Sequence, residues 1–265
     1  MEAGMLDLLY VSPERLGMEV FLNNLKRCPV SLFAIDEAHC ISEWGHDFRP
    51  DYLFLGDMVS HFPNVPIAAF TATATHQVQE DIINRLNLRS PLTVRASFDR
   101  PNLFYEVVRK DGVDQQILNF VNARPGQSGI VYRATRAATE TTANILERGG
   151  VSVLPYHAGL DDKTRRENQE KFTRDQVDVV VATIAFGMGI DKSNVRFVIH
   201  GDLPKNIESY YQETGRAGRD DRPSDCIMFY NYHDLLKLEK FLKDKPVSER
   251  EVGEQLLNEM AAFAE

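Results

Sequence analysis

Phe33-Ala34-Ile35-Asp36-Glu37-Ala38-His39 decides how the chain is read, because an apolar, strand-like stretch runs straight into two adjacent carboxylates. At the carboxyl end of a strand such a pair forms half of a nucleotide-hydrolysis site, with Asp36 placed to hold Mg²⁺ and Glu37 to polarise an attacking water. Two acids on a solvated surface turn would carry no such meaning. Here the apolar strand before them and Ala38-His39 after them favour chemistry. The other half of the site, a phosphate-cradling GxxxxGK[ST] loop, does not accompany it. Only 32 residues precede Phe33, and none of the 16 glycines is followed by Lys-Ser or Lys-Thr.

Around this stretch, short β-rich runs alternate with polar helical segments: Leu6–Val11, Leu32–Asp36, Ile67–Thr71, Leu92–Ala96, Leu103–Val108, Gly129–Tyr132, Ser152–Tyr156, Val177–Thr183, Arg196–His200 and Cys226–Tyr230. This is α/β patterning. Val177-Asp178-Val179-Val180-Val181-Ala182 lacks in/out alternation, as expected of a parallel strand covered by helices on both faces. Ligands of such sheets gather at the carboxyl ends of strands, where Asp36, Thr71, Thr183 and the Phe186–Gly189 turn fall. The polar, proline-containing stretch Ser97-Phe98-Asp99-Arg100-Pro101-Asn102 reads as a connection between two domains. After Tyr230 the pattern turns helical, with Pro246 separating two helices.

The composition is that of a globular chain, 265 residues with 43% hydrophobic and 26% charged, enough for two modest cores. A net charge of −9 opposes a uniformly basic nucleic-acid binder, although a local basic groove remains compatible with it. Cys28, Cys40 and Cys226 have neither CxxC nor Cys-His spacing, so neither a disulfide framework nor a zinc site is expected. No apolar run approaches bilayer length and no basic-then-apolar leader stands at the N-terminus, which gives a cytoplasmic, nucleoid-associated location as the default expectation.

Two further clusters carry chemistry. In Gln212-Glu213-Thr214-Gly215-Arg216-Ala217-Gly218-Arg219, two arginines three apart share a helical face among small residues that let a phosphate approach. Arginines so placed can neutralise transition-state charge. In Ile41-Ser42-Glu43-Trp44-Gly45-His46-Asp47-Phe48-Arg49-Pro50, the chain's one tryptophan shares a loop with His46, Phe48 and Arg49. Aromatic faces there can stack on bases while Arg49 meets a phosphate. Thr73, Thr183, Arg136 and His157, the last in the Tyr156-His157-Ala158-Gly159 turn, are further candidates for phosphate contact. Lys163, Arg165 and Arg166 read equally as a solvated helix face, and Phe172 as core.

Together these residues resemble a RecQ-type, superfamily 2 DNA helicase over nearly the whole chain. Leu8–Leu16 resembles motif Ib, Asp36–His39 motif II (the DEAH box), Phe70–Ala74 motif III, Gly129–Tyr132 motif IV, Ala182–Lys192 motif V and Gln212–Arg219 motif VI. The Trp44–Arg49 stretch is similar to the family's aromatic-rich loop.

The resemblance implies a 3′-to-5′, ATP- and Mg²⁺-dependent DNA translocase serving repair and recombination. Its fold would be two RecA-like parallel-sheet lobes over residues 1–97 and 98–230, the first incomplete, with a helical extension over 231–265. In that frame Asp36 holds Mg²⁺, Glu37 handles the water and His39 couples to the other lobe. Gln212, Arg216 and Arg219 face the nucleotide, with Arg219 as arginine finger, while Asp191 helps sense its state and Gly189 lies at the cofactor site. Partners would be single-stranded and forked DNA and a single-stranded-DNA-binding protein.

Departures stand beside the matches. Arg219-Asp220-Asp221 has Asp where the family has Gly, a position calling for a left-handed turn. Arg133 lies where Cys or Ser is usual. The Walker A loop and motif 0 would precede residue 1, and a four-cysteine zinc module and winged helix would follow residue 265. On this reading the chain is an internal piece of a longer helicase, its first lobe is poorly stable, and by itself it hydrolyses no ATP. The alternatives are a short non-catalytic binder of single-stranded nucleic acid or a partner, and an RNA-directed helicase of the same superfamily.

Overall fold

A computed structural model describes residues 6–43, 48–72, 74–95, 99–187, 190–243 and 247–265. The chain divides into two compact units, Met1–Ala96 and Ser97–Glu265. The division falls one residue before the expected 97/98 boundary.

In the first unit α1 (Pro13–Leu16) and α2 (Glu19–Leu25) precede β1 (Phe33–Ile35). Two 3₁₀ turns, Ala38–Ile41 and Pro50–Leu53, lead into α3 (Phe54–Ser60), β2 (Ile67–Ala69) and α4 (His76–Arg85). β1 and β2 pair in parallel, Phe33 with Ile67 through Ile35 with Ala69. The core gathers Ile35, Ala38, Ile41, Leu55, Met58, Val78, Ile82 and Leu86. Thr75 caps α4 by accepting the Val78 amide at 3.3 Å, which fixes where the chain leaves the β2 end.

Two expected strands of this unit do not form. Leu6–Val11 and the described residues of Leu92–Ala96 have no strand structure. A strand is held by pairing, and among the described residues the first unit's sheet has only β1 and β2. These runs instead leave large apolar side chains in solvent, Tyr10 and Leu92 at 89% exposure each, beside exposed Leu6, Leu8, Val20 and Val94. A two-stranded sheet with this much uncovered apolar surface is marginal. In hydrogen exchange, amides of residues 6–95 should therefore exchange well ahead of those in the second unit's central strands. Equal protection in the two units would contradict this.

The second unit follows the α/β pattern closely: β3 (Leu103–Arg109), α5 (Val113–Asn122), β4 (Ser128–Tyr132), α6 (Arg136–Arg148), β5 (Val153–Tyr156), α7 (Asp162–Thr173), β6 (Val179–Ala182), β7 (Val195–His200), α8 (Ile207–Thr214) and β8 (Ser224–Tyr230). The six strands lie in the order β3-β8-β7-β4-β6-β5, all pairings parallel. The unbroken apolar run of β6 is explained by burial on both sides. Val180 and Ala182 join one core with Ile130, Val198, Phe172 and Phe186, while Val179 and Val181 join the other with Ile117, Leu146, Phe197 and Ile199. Phe172 is core, as the sequence suggests.

The last helices, α9 (Tyr232–Lys243) and α10 (Val247–Ala264), fall in the stretch expected as a helical extension and are grouped with this unit. Leu235, Leu257, Met260 and Ala261 pack with Leu203, Tyr210 and Met228 in one cluster, so α8 and β8 are covered by them.

Candidate nucleotide and nucleic-acid site

At the end of β1 the backbone turns sharply. Glu37 adopts the left-handed region at φ 49°, a conformation costing a non-glycine residue about 1–2 kcal/mol. The turn is pinned on both sides: the Phe70 amide donates to the Ile35 carbonyl and the Ala38 amide to the Phe70 carbonyl, each at 2.8 Å. Asp36 is left exposed, one carboxylate oxygen accepting the Glu37 amide at 2.9 Å. Buried His39 sits with Nδ1 2.9 Å from Thr71 Oγ1 and 3.4 Å from Glu37 Oε2. Within this unit Glu37 is therefore tied through His39 to the end of the neighbouring strand. Ser42 donates to Asp81 at 2.7 Å, anchoring the 3₁₀ turn to α4. The Tyr52 hydroxyl donates to the Asp36 carbonyl at 3.4 Å, and burial, aided by the nearby negative charge of Glu37 and Asp36 against Arg49, pushes its pKa up.

Phe48 and Arg49 are half-buried just before the second 3₁₀ turn, and the Arg49 amide donates to the Cys40 carbonyl at 2.9 Å. Their loop thus returns directly to the segment after the carboxylates. Trp44, His46, Thr73 and Gly189 lie outside the described residues.

In the second unit the described candidate side chains fall in the segments that follow β4, β5 and β6, on α8, or in the loop after it. Arg136 opens α6, whose cap Thr135 accepts the Ala138 amide at 3.1 Å. The Arg136 side chain reaches the Gly159 turn after β5, where a Cβ on Gly159 would lie 3.1 Å from it. Thr183, after β6, receives the Ala185 amide on its hydroxyl at 3.4 Å and donates its own amide to Tyr156 at 3.1 Å.

His157 is engaged within the turn that follows β5. Its ring is buried, Nδ1 accepts the Gly159 amide at 3.1 Å, and Nε2 therefore carries the proton given to Glu140 at 2.7 Å. Both nitrogens are used to shape the turn. Asp161 then caps α7, its carboxyl held below the usual range by hydrogen bonds from Thr164 and from the Lys163 amide.

The arginines of the Gln212–Arg219 cluster are anchored on the loop after β6. Arg216 Nη1 donates to the Gly187 carbonyl at 2.6 Å, and Arg219 Nη1 to the Ile190 carbonyl at 3.1 Å. Arg219 also pairs with Asp191 at 3.4 Å, and the Asp191 carboxylate is 97% exposed. Gln212 lies half-buried one turn earlier on α8. Asp221 takes φ 61°, the left-handed turn expected at that departure.

Two supporting networks escaped sequence reading. Lys110, Arg133, Asp114, Asp202 and Asp234 form a largely buried ionic cluster under the loop after β4. Arg133 bonds Asp202 at 2.9 Å and Asp114 at 2.7 Å, and Lys110 bonds Asp202 at 2.7 Å and Asp234 at 2.8 Å. Burial opposes ionisation of Asp202, but the charges of Arg133 and Lys110 and the Ala134 amide outweigh it and hold the carboxyl below its usual range. Under α8, buried His200 Nε2 meets Glu213 Oε2 at 2.6 Å, and Tyr132 stacks on the His200 ring while donating its hydroxyl to the Phe186 carbonyl at 2.9 Å. The loops after β4 and β6 and the α8 helix thus share one scaffold.

Comparison with known proteins agrees with this geometry. The DEAD/DEAH box helicase family matches residues 2–82 and the helicase conserved C-terminal domain family matches residues 112–221. The chain is 52% identical to the ATP-dependent DNA helicase RecQ of Pasteurella multocida over 99% of its own length and 42% of that protein's. To the same-named protein of Haemophilus influenzae it is 50% identical, covering 99% of the chain and 43% of the relative. The chain thus spans less than half the length of these curated relatives. In structure it resembles Saccharomyces cerevisiae Dbp5 bound to RNA and ADP BeF3, with a TM-score of 0.60 over 89% of the chain and 66% of that one, at 18% identity. That likeness concerns the fold alone, two RecA-like parallel-sheet domains. Half of the chain's residues are thus identical, from end to end, to those of proteins named ATP-dependent DNA helicase RecQ, and both helicase families are matched in order, so the chain is similar throughout to part of a RecQ-type helicase.

Proposed function

We propose that the chain carries the hydrolytic and DNA-engaging motifs of an ATP-dependent, 3′-to-5′ DNA helicase acting on single-stranded and forked DNA. The observation that carries this reading is the pinned turn at the end of β1, where Asp36 is exposed and the neighbouring Glu37 meets His39, which in turn meets Thr71. Both relatives, moreover, are named as ATP-dependent DNA helicases.

Glu37 takes the proton of the attacking water, held in place by the left-handed turn and by His39 beside it. Arg216 and Arg219 supply positive charge for the transferring phosphoryl group, their backbone fixed at the end of α8. Among the described residues no group of three His, Cys, Asp or Glu could hold a metal. A lone exposed carboxylate nevertheless suits Mg²⁺, which keeps most of its ligands as water and phosphate oxygens. Asp36 would hold that ion, which neutralises phosphate charge when bound. Phe48, Arg49, Arg136 and Thr183 are the described candidates for contact with the DNA strand, with stacking supplied by the loop that precedes Phe48.

The test is ATP hydrolysis by the protein expressed from its complete reading frame. Turnover should rise on adding single-stranded DNA and not single-stranded RNA, and a rate indifferent to both would overturn the reading. The 265-residue polypeptide, which contains no GK[ST] sequence, should show no turnover by itself.

A further inference from the structure

Asp99-Arg100-Pro101-Asn102, where the chain enters the second unit, reads in sequence as a mere connection, yet the Arg100 and Asn102 side chains are spent on the loop that bears Arg216 and Arg219. Arg100 Nη2 donates to the carbonyls of Gly218 at 2.6 Å and Ala217 at 3.2 Å, and its Nη1 to that of Gly215 at 3.4 Å. Asn102 Nδ2 donates to the Gly218 carbonyl at 2.8 Å and the Arg222 carbonyl at 3.0 Å. The Asn102 carbonyl in turn accepts the Ser224 amide at 2.9 Å, where β3 and β8 begin to pair.

Chemistry explains the choice of residues. Gly215 is the C-cap of α8, so its carbonyl sits at the negative end of the helix dipole where a cation is favoured, while the carbonyls of Ala217 and Gly218 belong to the turns just beyond it. Arginine's planar fork can serve several such oxygens at once, which lysine's point charge cannot. Gly218 shows how closely the parts fit. Its φ is +56°, and a Cβ there would lie 2.4 Å from Asn102 Nδ2, so the loop closes on the Asn102 amide only with glycine. The guanidinium heads of Arg216 and Arg219 are held from the other side by the Gly187 and Ile190 carbonyls.

We propose that Arg100 and Asn102 are positioning residues for Arg216 and Arg219, clamping the backbone from which both guanidinium groups project. The proposal rests on the ATP-hydrolysis reading above. Under it the segment entering the second unit is mechanically continuous with the arginine loop, and a pull or twist on that segment reaches the arginines directly.

In the protein expressed from its complete reading frame, Arg100→Gln should lower kcat of single-stranded-DNA-stimulated ATP hydrolysis by roughly ten- to a hundredfold, as expected of about 1 Å of misplacement, with KM for ATP and DNA affinity little changed. Arg100→Lys should recover part of the loss. Asn102→Asp, which sets a carboxylate against two carbonyls, should match Arg100→Gln. In parallel, hydrogen exchange in the 265-residue chain should quicken for the amides of Ala217, Gly218 and Asp221 in Arg100→Gln and stay unchanged in β4 and β6. Unchanged kcat, a fall shared equally by kcat and 1/KM, or loop amides that exchange as in the wild type would each overturn the proposal. A wild-type protein that hydrolyses no ATP would instead overturn the functional reading, and the exchange comparison would still decide whether the clamp orders the loop.

Discussion

Replacing Arg219 with alanine should lower DNA-stimulated ATP turnover in the protein expressed from its complete reading frame by about 10³- to 10⁵-fold, the range found for transition-state arginines. That is roughly 4–7 kcal/mol of barrier. The side chain is half-exposed and its described partners are one backbone carbonyl and the solvent-exposed Asp191, so its loss leaves no buried charge stranded and should barely alter stability. Single-stranded-DNA affinity measured without nucleotide should also stay near the wild-type value. If Arg219→Ala instead lowers turnover only in proportion to a loss of melting temperature, the residue is structural and its catalytic assignment is wrong.

For Glu37→Gln the loss in turnover should be about 10²- to 10⁴-fold, the usual contribution of a positioned general base. Glutamine keeps the length of the side chain, can still bond His39, and tolerates the left-handed backbone as poorly as glutamate does, so the turn and its strain are preserved while the proton acceptor is removed. Nucleotide should therefore bind as in the wild type and accumulate unhydrolysed, as read by a filter-retention assay. Wild-type turnover by Glu37→Gln would remove the residue from the mechanism.

Much of this was legible in the residues alone. Parallel strands buried on both faces announce themselves as unbroken apolar runs, which is why Val177–Thr183 and Arg196–His200 were readable, and the acidic pair stands where a strand end puts it. Leu6–Val11 and the described residues of Leu92–Ala96 carry the same signal yet form no strand, because pairing depends on which other segments are at hand, and an apolar run does not encode its partner. His157 illustrates a second limit: spacing marks a histidine as a candidate without telling whether its two nitrogens are already spent. The Arg100 clamp illustrates a third. Its acceptors are backbone carbonyls more than a hundred residues away, and every residue type has one.

The order of the second sheet also sets a timetable for its birth. β3, the first strand of that unit to leave a ribosome, lies at the sheet's edge and pairs only with β8, the last, Leu103 opposite Ser224. Contacts of such long sequence separation form late and slow folding. During synthesis the middle strands can assemble first, while the segment from Asp99 to Arg109 trails as an unattached tether until β8 emerges. Docking of that tether is then the closing event of folding, and the same event seats Arg100 and Asn102 on the arginine loop, so a nascent chain gains its ordered arginines only when its last strand is in place.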